Sequence, residues 1–457
     1  MERGTINDIE MKQAIHVVGR KLLKSLPPKQ IKQQMPNEVG CHFQIGDREF
    51  GSVYLSPEQR NSFFICLDHT KRELGSTWDA DTIEKLTSRM VVRFVDPDNV
   101  NSDLDFDQKL RASLDEWTSK LLEPPNNWNV YFGVCNLSQK GLPISVGPVT
   151  FFPLNETGTD EVRAKFEEVL NISPDSPAVK ESSRQHLNKL LSHPDAHGLA
   201  KVCCVTNMSK AAQTEALQKL RRTLAILNFY ADLIHVQPTV VYLPGDAAKS
   251  SQFGLAFKTV DNGRTIAANL GGSIAGIWSA MGLYEQYLAQ ARTYGFDRAC
   301  ELLTKTSLNA VENRVSTALY WAGQAAAEKA LKSKYHKNLD AEREQSFLFY
   351  AICLESLFCK RREEDGATKI LSNRCSILLH PDNFQSRKQL QKQIEKLYER
   401  RSDIVHQGGL RVTEEELSEI RLLASESILE MLTNQEFISL RTEVDFDQWF
   451  HAKVHVG

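Results

Sequence analysis

The chain contains no run of about 18 consecutive apolar residues, the length a membrane-spanning helix requires. Its opening stretch, MERGTINDIEMKQ, has acids and no apolar core, so no secretory leader is expected and the expected location is the cytoplasm. A strong excess of either charge is also missing. With 55 basic and 58 acidic residues the formal net charge is -3, so any attraction to nucleic acid or anionic lipid must come from a local patch. The nine cysteines (Cys41, Cys66, Cys135, Cys203, Cys204, Cys300, Cys353, Cys359, Cys375) include no C-x-x-C pair and no zinc-ribbon spacing. They read as reduced, mostly buried small hydrophobes. No G-x-x-x-x-G-K-[ST] occurs, which excludes a nucleotide-hydrolysing P-loop, and no cofactor or metal is expected.

What is present is enough apolar material to fold. At 457 residues, 41% hydrophobic, the chain is long for one core and two or three domains are expected. Between residues 38 and 155, EFGSVYL, SFFICLDH, RMVVRFVD, NVYFGVCNL and VTFFPL are short, β-branched and aromatic, and are separated by turn formers, so they read as strands. Helices are expected around DADTIEKLTS and DFDQKLRASLDEWTSKLLE. Residues 171–198 are rich in Ser, Pro, Asp and His and read as a linker or exposed connection. A helix then follows with Ser209 as N-cap and Leu217, Leu220, Leu224, Leu227 and Ala231 on one face. TVVYLPG, FGLAFKTV and TIAANL look like strands again. From residue 296 to 435 only Pro381 interrupts strong helical periodicity, carried by five segments of which the first reads as one or two helices. Thr413 followed by Glu416 predicts a capping box at the start of the last. The expected class is α+β, with an N-terminal mixed, strand-rich region and a C-terminal helical bundle. The expected divisions are a strand-rich domain over 1–170, the connection at 171–198, a mixed continuation over 199–295, the bundle over 296–440 and a tail over 441–457.

The stretch RRSDIVHQGG, residues 400–409, closes the fourth of these helical segments. Leu390, Ile394, Leu397 and Ile404 form its apolar stripe, and position 401 falls on that stripe as an arginine. An unpaired buried charge costs several kcal/mol, so Arg401 calls for an anionic partner. His406 lies five residues on, about 140° around a regular helix, and meets Arg401 only if it sits in a frayed last turn ended by Gly408-Gly409. From Phe384 to Gly408 six basic residues (Arg387, Lys388, Lys392, Lys396, Arg400, Arg401) face three acids (Glu395, Glu399, Asp403). Metal-independent RNA cleavage needs a base for the ribose 2′-hydroxyl, a cation for the phosphate and an acid for the leaving 5′-oxygen. Histidine can serve as acid or base near neutrality, and arginine offers a fork of donors to phosphate. One such histidine per chain favours a two-fold dimer with a shared cleft.

Arg401-Ser402-Asp403-Ile404-Val405-His406 matches the R-x4-H motif of the HEPN superfamily of helical ribonucleases. With LYERRSDIVHQGG, YAICLESLF and ILSNRCSILLH, the region from about 300 to 435 resembles its Apea-like branch. The resemblance implies a dimerising all-α domain in which Arg401 and His406 of both chains form a metal-independent RNA-cutting site, often within toxin or antiphage-defence systems. Ser402 stands where the family often has Asn, Asp or His, and Asp403 follows it; both are candidate supporting residues. Lys392, Lys396 and Arg400 are candidate RNA contacts beside the plainer reading of a solvated face. Glu355 and Arg374, on neighbouring helices, are candidates for an ordering pair beside the plainer salt bridge. The N-terminal region is expected to bind a trigger or restrain the bundle. The alternative is a non-catalytic bundle used for dimerisation or partner binding.

Three other patterns were weighed. Gly271-Gly272-Ser273-Ile274-Ala275 resembles a nucleophile elbow, with His336 the first histidine after it, but no flanking motif supports a hydrolase and a tight connection is the expectation. His193 and His197 have the spacing of metal ligands, yet Pro194 argues against a helix presenting both. The tryptophans at 78, 117, 128, 278, 321 and 449 form no local platform for bases.

Overall fold

The computed structural model describes residues 8–26, 43–47, 51–74, 80–95, 106–121, 126–138, 143–153, 156–172, 176–191, 198–206, 209–234, 241, 243, 254–258, 265–266, 281–282, 285–332, 339–359, 366–407 and 411–454. The chain forms two compact units, one of residues 1–127 with 205–212, the other of 128–204 with 213–457. The class is α+β.

The first unit holds α1 (Asp8–Lys24), the hairpin strands β1 (Phe43–Asp47) and β2 (Gly51–Leu55), α2 (Pro57–Leu74), α3 (Ala80–Val95) and α4 (Phe106–Leu121). Phe43 pairs with Leu55 and Asp47 with Gly51 across the antiparallel hairpin. Two expected strands are helices: SFFICLDH lies inside α2 and RMVVRFVD runs into α3. Their composition favours strand, but their period is helical. Phe63, Cys66, Leu67, Thr70 and Leu74 recur at three- and four-residue steps and are buried, as are Ile83, Thr87, Met90, Val91 and Phe94. A reciprocal cap starts α2, with the Ser56 amide donating to Gln59 Oε1 at 2.9 Å and the Gln59 amide to Ser56 Oγ at 3.4 Å, and Pro57 supplies a preset first turn. These faces meet in one core with Ile15, Leu22, Leu114 and Trp117.

In the second unit, β3 (Asn126–Val134), β4 (Leu137–Ser138), β5 (Ile144–Val146) and β6 (Val149–Pro153) precede α5 (Glu156–Ile172) and α6 (Pro177–Leu191). Next come β7 (Gly198–Thr206), α7 (Ser209–Ile234), β8 (Gly254–Lys258), β9 (Thr265–Ile266) and β10 (Met281–Gly282). Six strands make one sheet in the order β5-β6-β7-β3-β8-β9, and β10 pairs with β4 in parallel. Helix α6 occupies most of the stretch read as a connection. Its Leu187 packs with Val162, Phe166 and Leu170 of α5 on Tyr131, Phe152 and Leu199 of the sheet, and Arg184 grips Glu167 through two bonds of 2.8 and 2.9 Å. The Ser, Pro, Asp and His content of the segment made it read as a connection, although Pro177 at the first helical position suits a helix start. Val241 and Leu243, read as strand, are not strand; the Asn228 side chain bonds both the amide (2.7 Å) and the carbonyl (3.0 Å) of Val241 as a neighbouring strand would.

The helical region comprises α8 (Glu285–Arg292), α9 (Phe296–Thr304), α10 (Ala310–Lys332), α11 (Leu339–Phe358), α12 (Ala367–Leu379), α13 (Phe384–Gln407), α14 (Glu414–Thr433), α15 (Gln435–Ser439) and α16 (Glu443–Val454). The capping box of Thr413 and Glu416 is present in both directions. Phe347, Tyr350, Leu354, Leu357 and Phe358 of α11 are buried, as periodicity predicts. Residues 441–457 are no simple tail. Helix α16 buries Phe446 and Phe450, and Arg314 lies 4.9 Å above the Phe446 ring while binding Glu443 at 2.6 Å. Helices α7 and α10 touch backbone to backbone, since a Cβ on Gly323 would lie 2.0 Å from the Ala225 carbonyl oxygen. No helix among the described residues is long and apolar enough to cross a membrane.

Candidate functional site

Helix α13 buries Leu390, Ile394, Leu397, Tyr398 and Ile404. Two contacts in step lock it to α11. The Tyr398 hydroxyl donates to the Ala351 carbonyl at 2.9 Å, and three residues on, Arg401 Nε lies 3.3 Å from Oε1 of Glu355, four residues past Ala351. The partner that the seam position demanded is therefore this chain's own Glu355. Nε faces the carboxylate without the alignment of a hydrogen bond, so the link is an ion pair. Burial raises the Glu355 carboxyl above its ordinary value, and the Arg401 charge works against that rise. The Arg401 side chain keeps 32% exposure, and its terminal nitrogens have no hydrogen-bond partner among the described residues.

His406 is exposed in the last turn of α13. Helical structure continues through Gln407, so His406 does not fray back toward Arg401 and the two side chains leave the helix about 140° apart. Within one chain the structure does not bring them together. Gly408 and Gly409 lie outside the described residues. Ser402 is exposed and Asp403 half-buried.

Counting by 100° per residue places Lys388, Lys392 and Lys396 on the same solvent face as His406, interleaved with Glu395 and Glu399. Lys392 and Lys396 are exposed there. Arg400 is turned elsewhere: it donates to the Arg411 carbonyl and pairs with Glu416 at 3.4 Å, bracing the start of α14. Arg387, counted in the basic surplus, is buried and bonds the carbonyls of His380 (2.8 Å) and Lys453 (3.0 Å). Glu355 pairs with Arg401 rather than forming the ordering pair with Arg374, which bonds the Phe358 carbonyl and Asp447 at 3.0 Å. What sequence reasoning missed was that Glu355 is the carboxylate set against Arg401. Its position on the half-buried flank of α11, opposite the one charged residue on the α13 stripe, was the available signal.

Gly271 to Ala275, His336, His193 and His197 lie outside the described residues. The described cysteines form no disulfide with one another, and burial pushes the thiols of Cys66 and Cys375 up to about 12. Trp117 and Trp128 are buried, Trp321 lies 5.3 Å from Phe349, and Trp449 lies 4.4 Å from Phe437. Among the described residues no group of three His, Cys, Asp or Glu side chains is placed to hold a metal ion. Set against protein-family models, curated proteins and solved structures, the chain matches none, so the geometry of α11 and α13 is the ground on which its function is argued.

Proposed function

We propose that the chain is a metal-independent endoribonuclease of HEPN type whose cutting site is completed by a second copy. The observation that carries this reading is the state of Arg401. A guanidinium sits on a helix seam, one edge against a single half-buried carboxylate, with its terminal nitrogens uncommitted among the described residues and its side chain partly exposed. That fork is the geometry that grips phosphate oxygens. Because His406 leaves α13 on a different side, the imidazole beside a given Arg401 comes from the partner copy. In this mechanism Arg401 binds and polarises the phosphate, and His406 moves the proton of the 2′-hydroxyl or of the leaving 5′-oxygen. The products are a 2′,3′-cyclic phosphate and a 5′-hydroxyl. Ser402 and Asp403 support the site, and exposed Lys392 and Lys396 attract RNA along the His406 face. Arg400 braces α14. A toxin or antiphage-defence role, held in check by the N-terminal region of about 295 residues until a trigger binds, suits a nuclease carried on so large a chain.

One observation favours a second reading. Glu355 already neutralises Arg401 within its own chain, which suits a bundle that only dimerises or binds a partner. RNA cutting in EDTA separates the two readings. We expect purified protein to cleave single-stranded RNA with chelator present, and His406→Ala or Arg401→Gln to lose at least about a hundredfold in rate while keeping fold and association state. Cleavage that survives both substitutions overturns the proposal, and no cleavage by wild type leaves the non-catalytic reading in its place.

A further inference from the structure

Helices α7 and α10 touch where Gly323 meets Ala225. A cavity of about 290 Å³ is lined by Gln218, Arg221 and Arg222 of α7 and by Asn313, Ser316, Thr317 and Tyr320 of α10. Each of these residues precedes the glycine contact on its own helix, so the lining is carried by two helices in backbone contact.

Two guanidiniums and no carboxylate line the space among the described residues. The nearest acid on α10, Glu312, is taken by Arg298 at 2.7 Å and Lys305 at 2.5 Å, while Glu215 on α7 is taken by Lys219 at 2.6 Å. Arg222 is exposed and has no ion pair among the described residues. The Thr317 hydroxyl donates to the Asn313 carbonyl, whereas the side-chain amide of Asn313 and the Ser316 hydroxyl have no hydrogen-bond partner among the described residues. Tyr320 meets Trp321 edge to face with centroids 5.4 Å apart, which fixes its half-buried ring on the cleft wall. Paired arginines recognise phosphate, amide and hydroxyl groups suit a ribose, and an aromatic wall suits a planar base. The volume is near the lower end for small-molecule sites.

We propose that the cleft between α7 and α10 binds a small phosphorylated ligand of the nucleoside monophosphate class. Arg222 holds the phosphate, and Tyr320 lies against the base. This site is separate from the Arg401 region and does not depend on the ribonuclease reading. The test is calorimetric titration of the full chain with each of the four ribonucleoside 5′-monophosphates, with inorganic phosphate and adenosine as separate probes. We expect at least one nucleotide to bind below about 1 mM, more tightly than either fragment, and Arg222→Gln to weaken it by about tenfold or more. Arg222→Lys, which keeps the charge and loses the fork, should bind more weakly than wild type. Tyr320→Ala should weaken the nucleotide and leave inorganic phosphate unchanged. The proposal is overturned if no nucleotide binds, or if Arg222→Gln binds as well as wild type. It is equally overturned if inorganic phosphate binds as tightly as every nucleotide, or if a single-stranded oligoribonucleotide binds where mononucleotides do not.

Discussion

Arg401 and Glu355 make a half-buried pair whose side chains keep 32% and 28% exposure. Burial raises the Glu355 carboxyl above 4.5, so the folded chain holds a proton there that the unfolded chain has already released. The contribution of this group to stability is therefore full below the ordinary carboxylate value and is lost as pH rises through the raised one. Glu355→Gln cannot ionise, so its stability relative to wild type should improve as pH rises through that window, whatever constant offset comes from leaving Arg401 unpaired. Chemical denaturation of both proteins at a series of pH values checks this, and a difference that stays flat would show that Glu355 titrates normally. Not every charge on α13 is available in this way. Buried Arg387 spends its donors on two carbonyls and Arg400 on α14, so two of the basic residues that made the helix look RNA-binding are structural.

At the scale of the element, period outweighed composition. SFFICLDH and RMVVRFVD are rich in residues that favour strands, yet Phe63, Cys66, Leu67 and Thr70, like Ile83, Thr87, Met90 and Val91, fall on one helical face and bury it. Local preference is a weak prior when a neighbouring core rewards the other period. The C-terminal helices were legible because period, caps and composition agree. Thr413 is the clearest case, since its hydroxyl accepts from the Glu416 amide at 3.2 Å and the Glu416 carboxylate accepts from the Thr413 amide at 2.9 Å. Thr413→Ala should cost about 1 kcal/mol, read as a shift in urea midpoint, and a neutral result would mean that solvent replaces the cap without loss. Gly323 was legible only as a residue tolerated inside a helix. Its reason is the Ala225 carbonyl of a helix nearly a hundred residues earlier in the chain. Gly323→Ala should force α7 and α10 apart and cost on the order of 1–3 kcal/mol, measured by the same denaturation.

For the whole molecule, the change of pattern at residue 296 does not coincide with a division of the structure, because the six-stranded sheet shares its compact unit with the helical bundle. Long-range ties explain this. Arg421 of α14 binds Asp232 of α7 at 2.6 Å and Tyr350 of α11 donates to the same carboxylate at 3.1 Å, so α7 is built into the bundle. The proposed cutting site, completed by a second copy, is tested at this scale. Sedimentation should show the chain associating to twice its own mass at the concentrations where RNA is cut, and a chain that cuts RNA as a monomer would remove the two-copy mechanism. The residue pattern by itself determined the helices between residues 296 and 433, the α13 stripe, the arginine set into it and the capping box after it, because each follows from spacing within a few turns of one helix. Only the tertiary structure decided that Glu355 faces Arg401, that Arg387 and Arg400 are committed, that His406 turns away, that residues 443–454 form a packed helix, and that a cleft lies between α7 and α10. Each of these depends on which helices meet and at what register, and such contacts join residues far apart in the chain that no local pattern relates.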